Sequence, residues 1–164
     1  MQFQFVASLL AMSALISSTL GESHTIHFTN KCGKGTPTLV QNGVILSTGG
    51  DYTHDGPIIS AIAYHTYASQ QPGGCGLNGE SCTLIETTLK NPTTAGSGSS
   101  TDISLIPPHT FSVTSGFGYY NGCDGFGADC TDANCPDAFH DPSQTWVQVA
   151  CQTDNVDLAI TFCD

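Results

Sequence analysis

Residues 155–163 read NVDLAITFC, and in that stretch Val156, Leu158, Ile160 and Phe162 alternate with Asp157, Ala159 and Thr161. A two-residue apolar period marks a β-strand with one buried face, because successive Cβ atoms point to opposite sides of the pleat. The same period returns at Phe111, Val113, Ser115, Phe117 and Tyr119, at Ile26 and Phe28, and less regularly from Ile58 to Tyr64. Asn42-Gly43 stands between Thr38–Val40 and Val44–Leu46, and it suits a two-residue hairpin turn because both residues tolerate positive φ. No run of about a dozen residues carries a helical apolar stripe. With 18 glycines and 8 prolines punctuating the strands, the expected fold is all-β, an antiparallel sandwich or barrel. Asn91–Thr101 (NPTTAGSGSST) reads as a flexible loop and His65–Gly74 as a second loop.

Ahead of these strands, Met1–Gly21 forms an uncharged apolar stretch ending in small residues. Its apolar core is shorter than the roughly 20 residues of a spanning helix, so it reads as a cleaved signal peptide, and the chain as secreted. Cleavage is expected after Gly21, with Ser23 as the alternative. The remainder, residues 22–164, is enough for one domain. Its 8 cysteines, Cys32, Cys75, Cys82, Cys123, Cys130, Cys135, Cys151 and Cys163, are even in number, and in an exported chain they imply four disulfides. Counting alone leaves on the order of a hundred pairings. No two CxxC pairs stand at zinc spacing, so neither a metal site nor a cofactor is expected. Paired cysteines also leave no thiolate nucleophile.

Fourteen acidic residues face three lysines and no arginine, a formal charge of −11. Such a surface repels phosphate backbones and anionic lipid headgroups, which excludes nucleic acid and membrane surfaces as partners. Neutral polysaccharide, cations and basic proteins are compatible with it, and a monomer is expected. On a surface this acidic most carboxylates only confer solubility, so a site needs a specific arrangement. Glu86 and Asp102 offer one. In TLIETTL, Ile85, Thr87 and Leu89 share one face and leave Glu86 on the other; in TDISLI, Ile103 and Leu105 point opposite to Asp102 and Ser104. If both segments lie in one sheet, the two carboxylates emerge together, as glycoside cleavage requires: one acid for the leaving oxygen, one carboxylate to attack or to activate water.

A sugar site also wants an aromatic platform. Tyr119, Tyr120, Phe126 and Trp146 are available; Trp146, beside Val147 and Val149, reads as core, and Tyr120, beside Asn121-Gly122, is the preferred exposed platform. Asp124, Asp129, Asp132 and Asp137 lack a calcium-loop register and read as solvated. Cleavage after Ser23 would instead expose His24 as an amino-terminal copper chelator with His27 as a further ligand, a route to polysaccharide oxidation.

Residues 74–89 (GCGLNGESCTLIETTL), then 100–113 (STDISLIPPHTFSV), then clustered cysteines around NCPDAF resemble thaumatin-like proteins. The F-x-N-x-C of Phe28–Cys32 and a cysteine almost at the end extend the resemblance, which is that of a small, reduced-cysteine, fungal-type member without the second disulfide-rich domain. It implies Cys32–Cys163 and Cys75–Cys82 disulfides, with Cys123–Cys151 and Cys130–Cys135 preferred for the other four cysteines. It also implies an acidic cleft in which Glu86 and Asp102 match the family's Glu and Asp, with Asp132 or Asp129 as a further ligand-binding carboxylate. The family's cleft Arg has no counterpart, so mutual repulsion should raise the carboxylate pKa values. The resemblance points to binding of cell-wall β-1,3-glucan in antifungal defence or wall remodelling. The alternatives are a weak endo-β-1,3-glucanase with Glu86 as general acid and Asp102 as its partner, and a secreted effector or structural protein with a protein partner.

Overall fold

The computed structural model describes residues 21–66 and 74–164, and it stacks two open β-sheets. The five-stranded sheet runs in the order β4 (Tyr52–Asp55), β1 (Ser23–Asn30), β12 (Asp157–Phe162), β8 (Ser115–Tyr120) and β9 (Gly127–Cys130). The seven-stranded sheet runs β10 (Ala138–Phe139), β7 (Ser99–Ser104), β6 (Leu84–Leu89), β5 (Ile58–His65), β2 (Pro37–Gln41) and β3 (Val44–Ser47), and β11 (Val149–Cys151) also pairs with β7. Thr145–Val147 forms a 3₁₀ turn, the one helical element among the described residues. The expected signal peptide lies outside the described residues apart from Gly21, and so does most of the His65–Gly74 loop; His65 itself ends β5.

Val156 and the inward residues of β12, Leu158, Ile160 and Phe162, are fully buried, as their alternation demands. They meet Ile26 and Phe28 of β1, Phe117 of β8, and Leu39, Ala63, Ile85 and Ile103 of the facing sheet in one continuous core. Burial of each large side chain contributes about 1.5–3 kcal/mol. The pairing is antiparallel except at β1–β12 and β10–β7, which run parallel. β1 and β12 come from opposite ends of the described chain, so no short connection dictates their direction, and Cys32–Cys163 staples them just past that pairing. The other disulfides are Cys75–Cys82, Cys123–Cys151 and Cys130–Cys135, and no cysteine is free.

At the predicted hairpin, Asn42 and Gly43 take φ of 51° and 75° between the paired Gln41 and Val44. Two expectations need correction. Strand β8 begins at Ser115 rather than Phe111, because the preceding segment bonds to side chains instead of a ladder: Ser112 N donates to Thr83 Oγ1 and Thr83 N to Ser112 Oγ, each at 2.9 Å. Asn91–Thr101 is not a flexible loop throughout. Ser99–Thr101 already belong to β7, and Gln152 Oε1 accepts from Gly96 N and Gly98 N at 3.0 and 3.2 Å, tying down the turn before it.

Candidate functional site

Strands β6 and β7 pair so that Glu86 stands directly opposite Asp102, on the outer face of the seven-stranded sheet. Directly opposed residues hold their Cβ atoms about 4.5–5.5 Å apart, so the two carboxylates share one patch of surface. Ile62 of β5 continues the same cross-strand row, and Thr88 with Ser100 forms the next one. A bulge in β5 puts Ser60 at φ 52° with its N–H donating to Thr88 Oγ1, which bends the strand at the floor of the site.

Asp102 occupies an unusual register position. Beyond it on the chain, Ile103 and Ser104 pair with β10; before it, Ser99, Ser100 and Thr101 pair with β11. Asp102 is thus the one β7 residue between the two edge strands, and the chain joining them, residues 140–148, crosses over this gap. Pro142 and Gln148 from this crossing, with Phe139 of β10, form one wall of a cleft of about 360 Å³ that Ser60, Ile62 and Glu86 also line. The crossing is held by its own bonds: Gln144 Oε1 accepts from His140 N at 2.7 Å and Asp141 N at 3.0 Å, and Asp141 Oδ1 accepts from Ser143 N at 2.9 Å.

Coverage divides the two acids. Glu86 is exposed, whereas Asp102 is only 6% exposed. Gln148 Nε2 donates to Asp102 Oδ2 at a long 3.4 Å, while Asp102 Oδ1 has no protein partner, and neither does Ser100 Oγ in the same cleft. Burial first, and the Glu86 charge second, push the Asp102 carboxyl up to about 7. The sequence predicts this rise from mutual repulsion in the absence of an Arg; desolvation is the larger cause. Behind Asp102, the hydroxyl of Tyr119 lies 2.9 Å from Val149 O and 3.0 Å from Thr101 Oγ1, and Thr101 reaches Thr87 at 2.6 Å. This buried chain ties the floor of the cleft to the opposite sheet, and burial pushes the Tyr119 hydroxyl up to about 12. Tyr119 is therefore a structural residue and not a platform.

The remaining candidates lie elsewhere. Asp132 does not line the cleft; its Oδ1 accepts from Asn134 N at 2.7 Å and shapes the Cys130–Cys135 loop. Asp129 sits on β9, at the edge of the five-stranded sheet, where it borders a hollow of about 410 Å³ with Phe117, Phe126 and Asp137. Its carboxyl is pushed up by partial burial first and by the neighbouring Asp164 second. Tyr120, on β8 of that same sheet, is half-buried. Trp146, read as core, is 75% exposed: the 3₁₀ turn buries its neighbour Val147 and turns the indole outward. His24, the ligand that the copper alternative requires, is buried, with Nδ1 2.7 Å from Val156 O and Nε2 3.2 Å from Glu22 Oε1. Its ring nitrogens are already engaged within the fold.

Gln148, Phe139, Pro142 and Ser60 were not singled out from the sequence. For Gln148 a signal existed, since it stands between Val147 and Val149 and so faces opposite to both. The other three come to the cleft through the chain crossing and the bulge, which no local pattern announces.

No family model matches the chain. It is 35% identical over 89 residues to thaumatin-like pathogenesis-related protein 2 of Avena sativa, a match covering 54% of this chain and 46% of that protein. The chain thus spans about half the length of the curated relative it matches. The solved structure of the thaumatin-like xylanase inhibitor TLXI is similar with a TM-score of 0.55 at 19% identity, over 86% of this chain and 99% of that one. The fold is thaumatin-like, and the resemblance read from the sequence agrees with both comparisons.

Proposed function

We propose that this chain, which fold and sequence both set among the thaumatin-like proteins, is a secreted defence-type protein that binds cell-wall β-1,3-glucan in the Glu86–Asp102 cleft. The observation that carries this reading is Asp102 Oδ1, a buried acid oxygen with no protein partner on a residue that lines the cleft, beside Ser100, whose Oγ is in the same condition. Buried polar atoms are almost always satisfied, and a ligand rich in hydroxyl groups supplies the missing bonds. The four disulfides, and the absence among the described residues of a helix long and apolar enough to cross a membrane, suit an extracellular protein. The name of the Avena sativa relative supports the defence role.

The cleft holds no positive side chain: Lys31, Lys34 and Lys90 are the only cations of the sequence beside its histidines, and none lines it. The Arg that the family resemblance places in the cleft has no counterpart in this sequence, which favours binding over hydrolysis. Co-sedimentation of the purified protein with insoluble β-1,3-glucan, combined with a reducing-sugar assay, tests this. Sedimentation without sugar release is expected. Sugar release abolished by both Glu86→Gln and Asp102→Asn would make the protein a glucanase instead, and absence of sedimentation would end the glucan reading.

A second reading, binding of another protein, draws on the exposed Val44 and Ile45 of edge strand β3 and on the name of the xylanase inhibitor. It predicts that glucan binding is absent while substitutions at Val44 and Ile45 abolish capture of the partner.

A further inference from the structure

The two acids of the cleft are not interchangeable, because one is exposed and the other is covered. We infer that Asp102 is the hydrogen-bond donor of the cleft, presenting a protonated Oδ1 to an oxygen of a neutral glycan, while Glu86 is the carboxylate that accepts from a sugar hydroxyl. This assignment rests on the glycan reading above and specifies how that ligand is held.

The argument is geometric. Gln148 Nε2–H occupies Asp102 Oδ2, and an amide N–H requires an acceptor there whether or not the carboxyl is charged. Oδ1 is left without a protein partner. An ionised Asp102 would place a buried negative charge opposite Glu86 with no cation lining the cleft, and an isolated buried charge is far costlier than a neutral acid. Glu86 is exposed and keeps its contact with water, so the cost of burial falls on Asp102 alone. The titratable groups facing Asp102 are Glu86 from the paired strand and Tyr119 from the opposite sheet, which burial keeps neutral; neither supplies a positive charge. A carboxyl pushed up to about 7 is what this arrangement produces.

The resulting lining alternates functions across the cleft: the Ser100 hydroxyl and the Asp102 acid on one strand, the Glu86 acceptor on the next. Adjacent donors and acceptors match the hydroxyl and ring oxygens of a neutral sugar. An acidic sugar would meet the Glu86 charge and be rejected. The interaction also has a direction in pH, because Oδ1 stops donating once Asp102 ionises, leaving two carboxylates facing the ligand.

Asparagine is nearly isosteric with a protonated aspartic acid and donates through Nδ2 at any pH. Calorimetry with laminarin-type oligosaccharides should show wild-type affinity falling about tenfold or more between about pH 5.5 and pH 8.5. Asp102→Asn should stay within about threefold of the acid-form affinity across that range. Loss of binding by Asp102→Asn at the acid end would overturn the assignment, since it would mean that the ligand requires the carboxylate. A ligand-free arm separates this from failure of the glucan reading: carbon-detected NMR of the side-chain carboxyls should show one group titrating near neutrality that vanishes in Asp102→Asn and moves to lower pH in Glu86→Gln. If no glucan binds to any of these proteins, the glucan reading falls. The NMR arm still decides which acid holds the proton, and a near-neutral titration that persists in Asp102→Asn rejects the inference.

Discussion

Both sheets carry aspartates on their outer surface beside a hollow of similar size, and only one of these places is chemically poised. At the cleft of the seven-stranded sheet, Asp102 is buried beneath the chain crossing from β10 to β11, with one oxygen lacking a protein partner. At the edge of the five-stranded sheet, Asp129 is exposed, influenced by Asp164, and bordered by an exposed Phe126. Acidic residues are plentiful in both. Coverage by a separate piece of chain distinguishes them, because burial rather than charge count is the larger cause of the rise at Asp102. Both carboxyls rise above the ordinary range, yet water still reaches Asp129 and blunts the cost of its charge.

That contrast predicts its largest effect on stability at alkaline pH. The native Asp102 carboxyl titrates near 7 and the unfolded one near 3.8, so across this window the native state holds a proton that the unfolded state releases. Stability contributed by the neutral acid is therefore complete below about pH 4 and is lost as pH rises through about 7. Asp102→Asn removes that loss. Urea denaturation at about pH 8 should find the variant more stable than wild type by roughly 3 to 4 kcal/mol, with the difference shrinking toward about pH 4. Asp129→Asn should change stability by less than about 0.5 kcal/mol at either pH. Equal effects at the two sites would dissolve the comparison.

A smaller effect tests the floor of the cleft. Tyr119→Phe removes the hydroxyl that joins Val149 and Thr101, leaving buried acceptors without their donor, and should cost about 1–2 kcal/mol by chemical denaturation. The smallest effect concerns the rim. Trp146 is 75% exposed, so Trp146→Ala should leave the unfolding midpoint almost unchanged. If a glycan chain extends from Gln148 onto the indole, two residues away, the same variant should weaken glucan binding about five- to tenfold, read by calorimetry. Phe126→Ala, on the other sheet, should leave glucan binding at the wild-type level.

Much of this arrangement was legible in the residues themselves. Alternation at Val156–Phe162 set one side of the core, Asn42-Gly43 set a hairpin, and the opposite phase of Glu86 and Ile85, and of Asp102 and Ile103, put both acids on the outer face. These are local properties, since a strand has a period of two wherever it pairs and a turn needs positive φ wherever it occurs. The sequence also misled in places where local and tertiary preferences diverge. Trp146 beside two valines looked like core until the 3₁₀ turn reversed its direction, and Asp132 was spent on its own loop.

What the sequence by itself determined was the all-β class, the outward phase of Glu86 and Asp102, and an even set of cysteines among strands. Only the tertiary structure decided that the two acids stand opposite one another, that the cysteines pair as they do, and that residues 140–148 cover one acid and leave the other in water. The physical reason is that side-chain phase follows from covalent geometry, whereas the desolvation of a carboxyl depends on chain that is distant in sequence. Gln148 lies 46 positions from Asp102, and no period within either segment encodes their meeting.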